Sequence, residues 1–166
     1  MKEQRHREMV KVLWRDTEIL RTALNLPRVW VRAMEYQFQS GEAADLVFQD
    51  RFNASSGDPE ATCYVVELKS RKADHELVGQ LRKYINILRR IGKSTSQYGN
   101  VVGIAIAPEY SQSALKMLWE DGVRVLIWQE TMSGIKLREV PKPGVPKKAM
   151  PPALLQKLKD SVRKNP

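Results

Sequence analysis

Val65-Val-Glu-Leu-Lys69 is the segment that predicts most about the fold. Successive side chains of a β-strand point to opposite faces, so Glu67 and Lys69 share one face and Leu68 lies on the other. The apolar neighbours indicate a strand in the middle of a sheet. A carboxylate and an ammonium are unfavourable there unless other groups pair with them. The stretch therefore predicts a central strand whose charged residues have partners elsewhere in the chain.

The segments around this strand predict a mixed sheet flanked by helices. Their apolar spacing indicates a helix over residues 2–24, strands over 28–38, 43–49 and 62–69, a helix from Asp74 to about Gly92, a strand over 101–107, a helix from Ser111 to Glu120 and a strand over 123–128. A polar loop between the second and third strands fits an antiparallel hairpin, whereas the later strand–helix–strand units require parallel pairing. We therefore predict an α/β fold with the order α-β-β-β-α-β-α-β and a mixed central β-sheet.

The last part of the chain differs from the rest in composition. Residues 140–166 contain six lysines and one arginine against one aspartate, and so hold +6 of the formal net charge of +9. Prolines interrupt the segment repeatedly. We predict one domain over residues 1–138, followed at 139–166 by a basic, proline-rich linker and a short C-terminal helix or tail. A basic segment favours a polyanionic partner, although it also fits a merely solubilising terminus.

The composition argues against several classes of protein. Cys63 is the single cysteine, which leaves no pair for an internal disulfide and no cysteine-based zinc site. The longest apolar runs, such as residues 101–107, are too short to span a bilayer, and the first residues lack the apolar core of a signal peptide. We therefore expect a cytoplasmic protein with no membrane partner.

Asp45 is a second acidic residue that the predicted hairpin can bring beside Glu67. Two carboxylates would then converge next to Lys69, and they repel each other unless a cation lies between them. Oxygen ligands that leave room for water suit Mg²⁺ or Mn²⁺. We expect Asp45, Glu67 and the Leu68 carbonyl to hold such an ion, with Lys69 orienting water or neutralising charge on a phosphate. The alternative is an ordinary salt-bridged surface hairpin, since Glu-Leu-Lys is a common tripeptide.

Several motifs follow one another around this segment. Gly41-x-x-x-Asp45 precedes the hydrophobic-hydrophobic-Glu-x-Lys strand, and Gln80-x-x-x-Tyr84 follows on a helix. Together they resemble the PD-(D/E)XK nuclease superfamily and its RecB-type branch. Three later runs are similar to the nuclease domain of NucS/EndoMS-type endonucleases: Val78-Gly-Gln-Leu-Arg-Lys-Tyr84, Val102-Gly-Ile-Ala-Ile-Ala-Pro108 and Gly122-Val-Arg-Val125. The resemblance spans roughly residues 18–128.

The resemblance implies a restriction-endonuclease-like core and a Mg²⁺- or Mn²⁺-dependent DNA endonuclease, either structure-specific or acting in DNA repair or recombination. It implies metal ligation by Asp45 and Glu67 and a catalytic Lys69. Gln80 and Tyr84 lie one helical turn apart and would reach the same phosphate or metal-bound water. Tyr84 also fits a half-buried core aromatic residue.

Three further carboxylates are open as additional site residues. The superfamily often adds an acidic residue from the first helix, and Glu18 is the best-placed candidate. Glu35 also fits a solvated strand residue, and Glu42 fits the lining of a substrate channel. His6 and His75 have no second ligand at a metal-binding spacing, so we expect plain surface roles for both.

The chain departs from the family pattern in two respects. Ala44 stands where the superfamily's name has proline, at a position that does not ligate metal. One predicted helix precedes the core where NucS-type enzymes carry an additional DNA-binding domain, so mismatch specificity is not implied, and the basic tail or a partner protein would supply DNA contacts. DNA is the expected partner, and the expected location is the nucleoid. A homodimer and a larger DNA-processing complex are both open as the assembly. A non-catalytic DNA-binding module and a Holliday-junction resolvase are the alternatives.

Overall fold

The computed structural model describes residues 2–26, 31–50 and 57–144. The elements in these ranges are α1 (Lys2–Arg15), α2 (Thr17–Leu24), β1 (Val31–Gln37), β2 (Ala43–Gln49), β3 (Asp58–Leu68), α3 (His75–Thr95), β4 (Tyr98–Ala107), α4 (Gln112–Glu120), β5 (Arg124–Thr131) and β6 (Gly134–Glu139). The strands form one sheet in the order β1-β2-β3-β4-β5-β6. This confirms the predicted α/β class with a mixed central sheet.

The pairing between neighbouring strands changes type twice across the sheet. β1, β2 and β3 pair antiparallel, β3, β4 and β5 pair parallel, and β5 and β6 pair antiparallel. α3 and α4 provide the crossovers that parallel neighbours need. The carboxyl ends of β3, β4 and β5 therefore lie side by side at one end of the strands. The amino ends of α3 and α4 lie at this same end of the strands.

Each face of the sheet is covered by two helices. Val65 and Val66 are both fully buried and belong to opposite cores, which confirms the central position of β3. α3 and α4 form the first core with Leu77, Leu81, Leu88 and Leu118. α1 and α2 form the second core with Met9, Leu13, Leu20 and Leu24. Burial on both faces explains why β3 and β4 read as continuous apolar runs.

The predicted first helix is two helices. It breaks after Arg15, and the Asp16 carboxylate caps α2 by accepting a hydrogen bond from the Glu18 N–H. The predicted end at residue 24 is confirmed, because Asn25 adopts the left-handed conformation of a helix C-cap. Residues 27–30, which include the start of the predicted second element, lie outside the described residues.

The end of α3 also differs from the prediction. The helix continues past Gly92 to Thr95, and Ser96 is its left-handed cap. Gly92 instead lies against the ring of Tyr98, where a Cβ atom would have no room. The glycine therefore marks a close contact between α3 and β4 rather than a helix end. The segment between the predicted helix and the predicted strand over 101–107 is correspondingly short, because β4 begins at Tyr98.

β6 is a strand that the sequence did not predict. It pairs with β5 through a tight turn at Gly134, whose φ of 116° suits glycine. Leu137 is its one buried residue, so the strand shows only a weak apolar pattern. Residues 145–166, with most of the predicted basic tail, lie outside the described residues. In the described part, the helices are too short or too polar to cross a membrane.

Candidate metal centre

The candidate site lies where β2 and β3 separate. Their ladder ends at the pair Leu46 and Val66. Beyond this pair, the Leu68 N–H donates to the side chain of Asp45, at 2.7 Å from Oδ2. On the opposite side of β3 the ladder continues, and the Lys69 N–H donates to the Ile106 carbonyl at 2.8 Å. The Asp45 carboxylate therefore takes the place of a strand partner and is fixed at the carboxyl end of β3.

Asp45 and Glu67 are both removed from solvent, with 9% and 5% of their surfaces exposed. The Glu67 Oε2 atom is buried and has no hydrogen-bond partner among the described residues. Burial, followed by the charge of Asp45, raises the pKa of Glu67 from 4.5 to about 7. A desolvated carboxylate near a second one and with an unpaired oxygen is an arrangement that a bound cation relieves.

Lys69 lies beside this pair and is held by α3. Its Nζ donates to Gln80 Oε1 at 2.7 Å and lies 3.5 Å from Glu67 Oε1. Glu76 Oε1 is 3.8 Å away, but this side chain is largely exposed. Trp128 Nε1 donates to the Lys69 carbonyl at 3.0 Å and fixes the backbone. The structure therefore brings three of the predicted site residues together: Glu67, Lys69 and Gln80.

His6 enters the same site from α1, which corrects the expectation of a plain surface role. Its Nε2 lies 3.1 Å from Asp45 Oδ2, and its side chain is only 30% exposed. The hydrogen bond to Asp45 raises the pKa of His6 against the opposing effect of burial. Since the Leu68 N–H also binds Oδ2, this oxygen has two partners, whereas no described residue donates to Oδ1. Oδ1 therefore remains available to a further ligand.

A signal for His6 is present in the sequence. His6, Met9, Val10 and Leu13 follow the spacing i, i+3, i+4 and i+7, so they share one face of α1. The three apolar members are buried against the sheet. A histidine that continues such a face must also point toward the sheet.

Tyr84 supports the site from behind. Its hydroxyl donates to the Ala43 carbonyl at 3.0 Å, and its ring stacks on Phe38 with centroids 4.9 Å apart. Burial is the main reason that the pKa of Tyr84 rises to about 12, so the hydroxyl keeps its proton near neutral pH. The structure thus favours the core-aromatic alternative for Tyr84. Its contact with Ala43 anchors the strand that carries Asp45.

The three additional carboxylates lie apart from this pair. Glu18 is exposed on α2 and pairs with Arg21 at 2.7 Å, and that hydrogen bond lowers the pKa of Glu18. Glu42 pairs with Lys83 on α3. Glu35 is exposed and has a φ of 50°, a conformation that is unfavourable for residues other than glycine. Within the described ranges, none of the three makes a hydrogen bond or ion pair with the buried carboxylates.

A cleft of about 370 Å³ opens at the carboxyl end of β3. Its lining is Glu3, His6, Glu67, Leu68, Lys69, Ser70 and Arg71. Across residues 2–26, 31–50 and 57–144, no group of three or more His, Cys, Asp and Glu side chains is arranged to hold a metal ion. A cation here would depend on two carboxylates, a backbone carbonyl and water. That donor set fits Mg²⁺ or Mn²⁺, which keep several water ligands.

The chain has known relatives. Residues 7–141 match the family described as Endonuclease NucS C-terminal domain. The chain belongs to this family. Endonuclease NucS of Pyrococcus furiosus is 34% identical over 107 residues, which cover 64% of this chain and 34% of the relative. Endonuclease NucS of Pyrococcus abyssi is 39% identical over 67 residues, which cover 40% of this chain and 24% of the relative.

Two solved structures share the fold of this NucS C-terminal domain. A complex of EndoMS with double-stranded DNA has a TM-score of 0.51 and 23% identity, covering 71% of this chain and 41% of that one. A repair endonuclease from Pyrococcus abyssi has a TM-score of 0.50 and 24% identity, covering 71% and 44%. The chain spans about a quarter to a third of the curated NucS relatives. The family match confirms the predicted relationship to NucS/EndoMS-type endonucleases.

Proposed function

We propose that this NucS C-terminal domain is a metal-dependent DNA endonuclease with a PD-(D/E)XK centre. The observation that carries the proposal is the grouping of Asp45, Glu67 and Lys69 where β2 and β3 separate. The unpaired Oε2 of Glu67 supports a cation at this point. The curated relatives are named endonucleases, which supports hydrolysis of phosphodiester bonds.

Each residue of the site has a chemical task. Asp45, Glu67 and the Leu68 carbonyl would hold Mg²⁺ or Mn²⁺, which when bound polarises a phosphate and lowers the pKa of water. His6 and the Leu68 N–H hold Asp45 through Oδ2 and leave Oδ1 for ligation. Lys69, positioned by its bond to Gln80, places a positive charge where negative charge develops on the phosphate oxygens.

DNA is the proposed substrate. Lys69 and Arg71 line the cleft, and the basic segment after residue 140 adds positive charge that favours phosphates. One structure with the same fold is a complex with double-stranded DNA. The proposed role is in DNA repair or recombination at the nucleoid, as a homodimer or within a larger DNA-processing complex.

A panel of DNA substrates tests the proposal. Labelled flap, single-stranded and duplex DNA would be incubated with the purified chain in Mn²⁺, Mg²⁺ or EDTA. We expect cleavage of at least one substrate with a divalent ion, none in EDTA, and background cleavage by Glu67→Ala. Glu18→Ala is the matched control, because it removes an exposed carboxylate that pairs with Arg21 and makes no hydrogen bond or ion pair with Asp45 or Glu67 within the described ranges, and it should cut like wild type. Equal cleavage by wild type and Glu67→Ala would refute the mechanism.

A DNA-binding module without catalysis is the second candidate. It is favoured by the lack of a three-residue metal cluster in the described part of the chain and by the partial coverage of the relatives. Calorimetric titration with Mn²⁺ separates the two. Saturable binding that Glu67→Ala abolishes supports the nuclease, whereas no binding by wild type supports the module. Symmetric cutting of four-way junctions would instead indicate a resolvase.

A further inference from the structure

A groove of about 360 Å³ lies between α3 and the turn that joins β1 to β2. α3 packs mainly against β3 and β4, and the groove lies beside the end of β1. The surface combines apolar and hydrogen-bonding side chains. We call it the α3 groove and define it by Tyr36, Phe38, Gln39, Ser40, Ile87 and Arg90.

The α3 groove lies on the same helix face as the candidate metal centre. Gln80, Lys83, Ile87 and Arg90 are spaced three, four and three residues apart, which places them along one side of α3. Gln80 binds the proposed catalytic Lys69. Arg90 follows Gln80 by ten residues, or about 15 Å at about 1.5 Å per residue. That length corresponds to about four base-pair steps of duplex DNA at about 3.4 Å each, and to fewer nucleotides of an extended unpaired strand.

The charge beside the α3 groove selects an anionic occupant. Lys83 is neutralised by Glu42, but the exposed Arg90 has no acidic partner in the part of the chain that the structure describes. The neighbouring Arg89 and Lys93 are exposed and lack acidic partners within the same ranges. Cations near a helix C-terminus are favourable in themselves. They also disfavour the chain's own basic C-terminal segment as the occupant.

The aromatic side of the α3 groove points to a nucleotide. Tyr36 is half-buried, with its ring edge-on to Phe38 at 5.2 Å, and its hydroxyl makes no hydrogen bond to a described residue. Ile87 lies opposite on α3. Proteins bind single-stranded nucleic acid through aromatic rings that stack on the bases and positively charged residues that contact the phosphates. A protein helix or a second copy of this chain would match the apolar lining but leave Arg90 unpaired.

We propose that the α3 groove binds an unpaired nucleotide of the DNA strand that is cut, within about four nucleotides of the scissile phosphate. Tyr36 and Ile87 contact the base, and Arg90 contacts the phosphate. This inference rests on the proposed nuclease function and assigns Tyr36, Ile87 and Arg90 as residues that contact the substrate outside the candidate metal centre.

Fluorescence anisotropy tests the groove without cleavage. The full chain would be titrated in EDTA against a fluorescein-labelled single-stranded oligonucleotide, between about 50 and 200 mM salt. Arg90→Ala should weaken binding and reduce the slope of log K against log salt by about 0.7. Tyr36→Ala should weaken binding about tenfold with an unchanged slope, whereas Tyr36→Phe should bind within about twofold of wild type.

Arg138→Ala is the matched control. Arg138 is an exposed arginine on β6, at the opposite edge of the sheet from β1, and has no acidic partner within the described ranges. Its substitution removes the same charge and should change neither affinity nor slope. Equal losses in Arg90→Ala and Arg138→Ala, wild-type binding by Tyr36→Ala, or no binding by the wild type would overturn the proposal. If Tyr36→Ala does not fold, as judged by circular dichroism, the two arginine variants decide.

Cleavage in Mn²⁺, measured in parallel, separates this proposal from the nuclease. Binding that depends on Arg90, without any cleavage, would support nucleotide binding in the α3 groove and exclude the nuclease activity. Cleavage together with binding that does not change in the Arg90 and Tyr36 variants would exclude nucleotide binding in the α3 groove and support the nuclease activity.

Discussion

Replacement of Glu67 by glutamine should stabilise the metal-free protein, although it removes a residue of the proposed centre. Glu67 is 5% exposed, and its Oε2 has no hydrogen-bond partner among the described residues. Burial, with a further contribution from Asp45, raises its pKa from 4.5 to about 7. Above that pH the folded chain holds a desolvated carboxylate, which an uncharged amide of the same shape avoids.

The size and sign of the effect follow from the pKa. The difference between 4.5 in the unfolded chain and about 7 in the folded chain corresponds to about 3 kcal/mol. Because the folded state binds the proton more tightly, this stability is complete below the unfolded pKa and is lost as the pH rises through the folded pKa. At about pH 8, Glu67→Gln should therefore exceed wild type by up to about 3 kcal/mol, and at about pH 4 the two should nearly coincide.

Urea denaturation followed by tryptophan fluorescence measures the difference. Both proteins would be unfolded in EDTA at several pH values, with Glu18→Gln as a control for an exposed carboxylate. Mn²⁺ should then reverse the order, because an ion at about 1,000 times its Kd stabilises the wild type by about 4.1 kcal/mol and has no complete site in Glu67→Gln. A Glu67→Gln protein that is less stable than wild type at about pH 8 in EDTA would refute the reasoning.

Three further outcomes are expected. Lys69→Gln should retain Mn²⁺ binding in calorimetry but lose about 100-fold or more in single-turnover cleavage, and unchanged cleavage would exclude Lys69 from the chemistry. Tyr84→Phe removes the hydrogen bond to Ala43 and should cost about 1 kcal/mol in urea denaturation, with less than about tenfold loss of cleavage. A larger loss of cleavage at unchanged stability would give the hydroxyl a direct role. His6→Ala should weaken Mn²⁺ binding about tenfold, because Asp45 loses a partner, and an unchanged affinity would contradict this.

The central part of the site was predictable because it depends on short-range rules. Strand alternation places Glu67 and Lys69 on one face, and the hairpin between β2 and β3 carries Asp45 to the same end of the sheet. Helix spacing places Gln80 and Tyr84 on one face of α3, and in the structure Gln80 contacts Lys69. These relations need only the period of the elements and the direction of the chain.

The contributions of the first helices were not predictable in the same way. The position of His6 depends on how α1 lies across the sheet, which is decided by packing between distant parts of the chain. Glu18 fitted a continuous first helix, but the break at Asp16 places it on α2, where it pairs with Arg21. The break at Asp16 therefore separates Glu18 from the helix that carries His6.

The role of Tyr84 was ambiguous for a related reason. Its spacing from Gln80 is correct for a shared helix face, but its ring is covered by Phe38 and its hydroxyl is bound to the Ala43 carbonyl. Only the packing of α3 on the sheet decides between exposure and burial. β6 escaped prediction because a strand at the edge of a sheet buries few side chains and shows little apolar pattern.

Diffraction from a crystal of the chain soaked in Mn²⁺ tests the central claim most directly, because the anomalous signal locates the ion. We predict one strong anomalous peak between the carboxylates of Asp45 and Glu67, in contact with the Leu68 carbonyl, and its loss in Glu67→Ala crystals. Absence of a peak at the end of β3, or a peak that persists there in Glu67→Ala, would contradict the account.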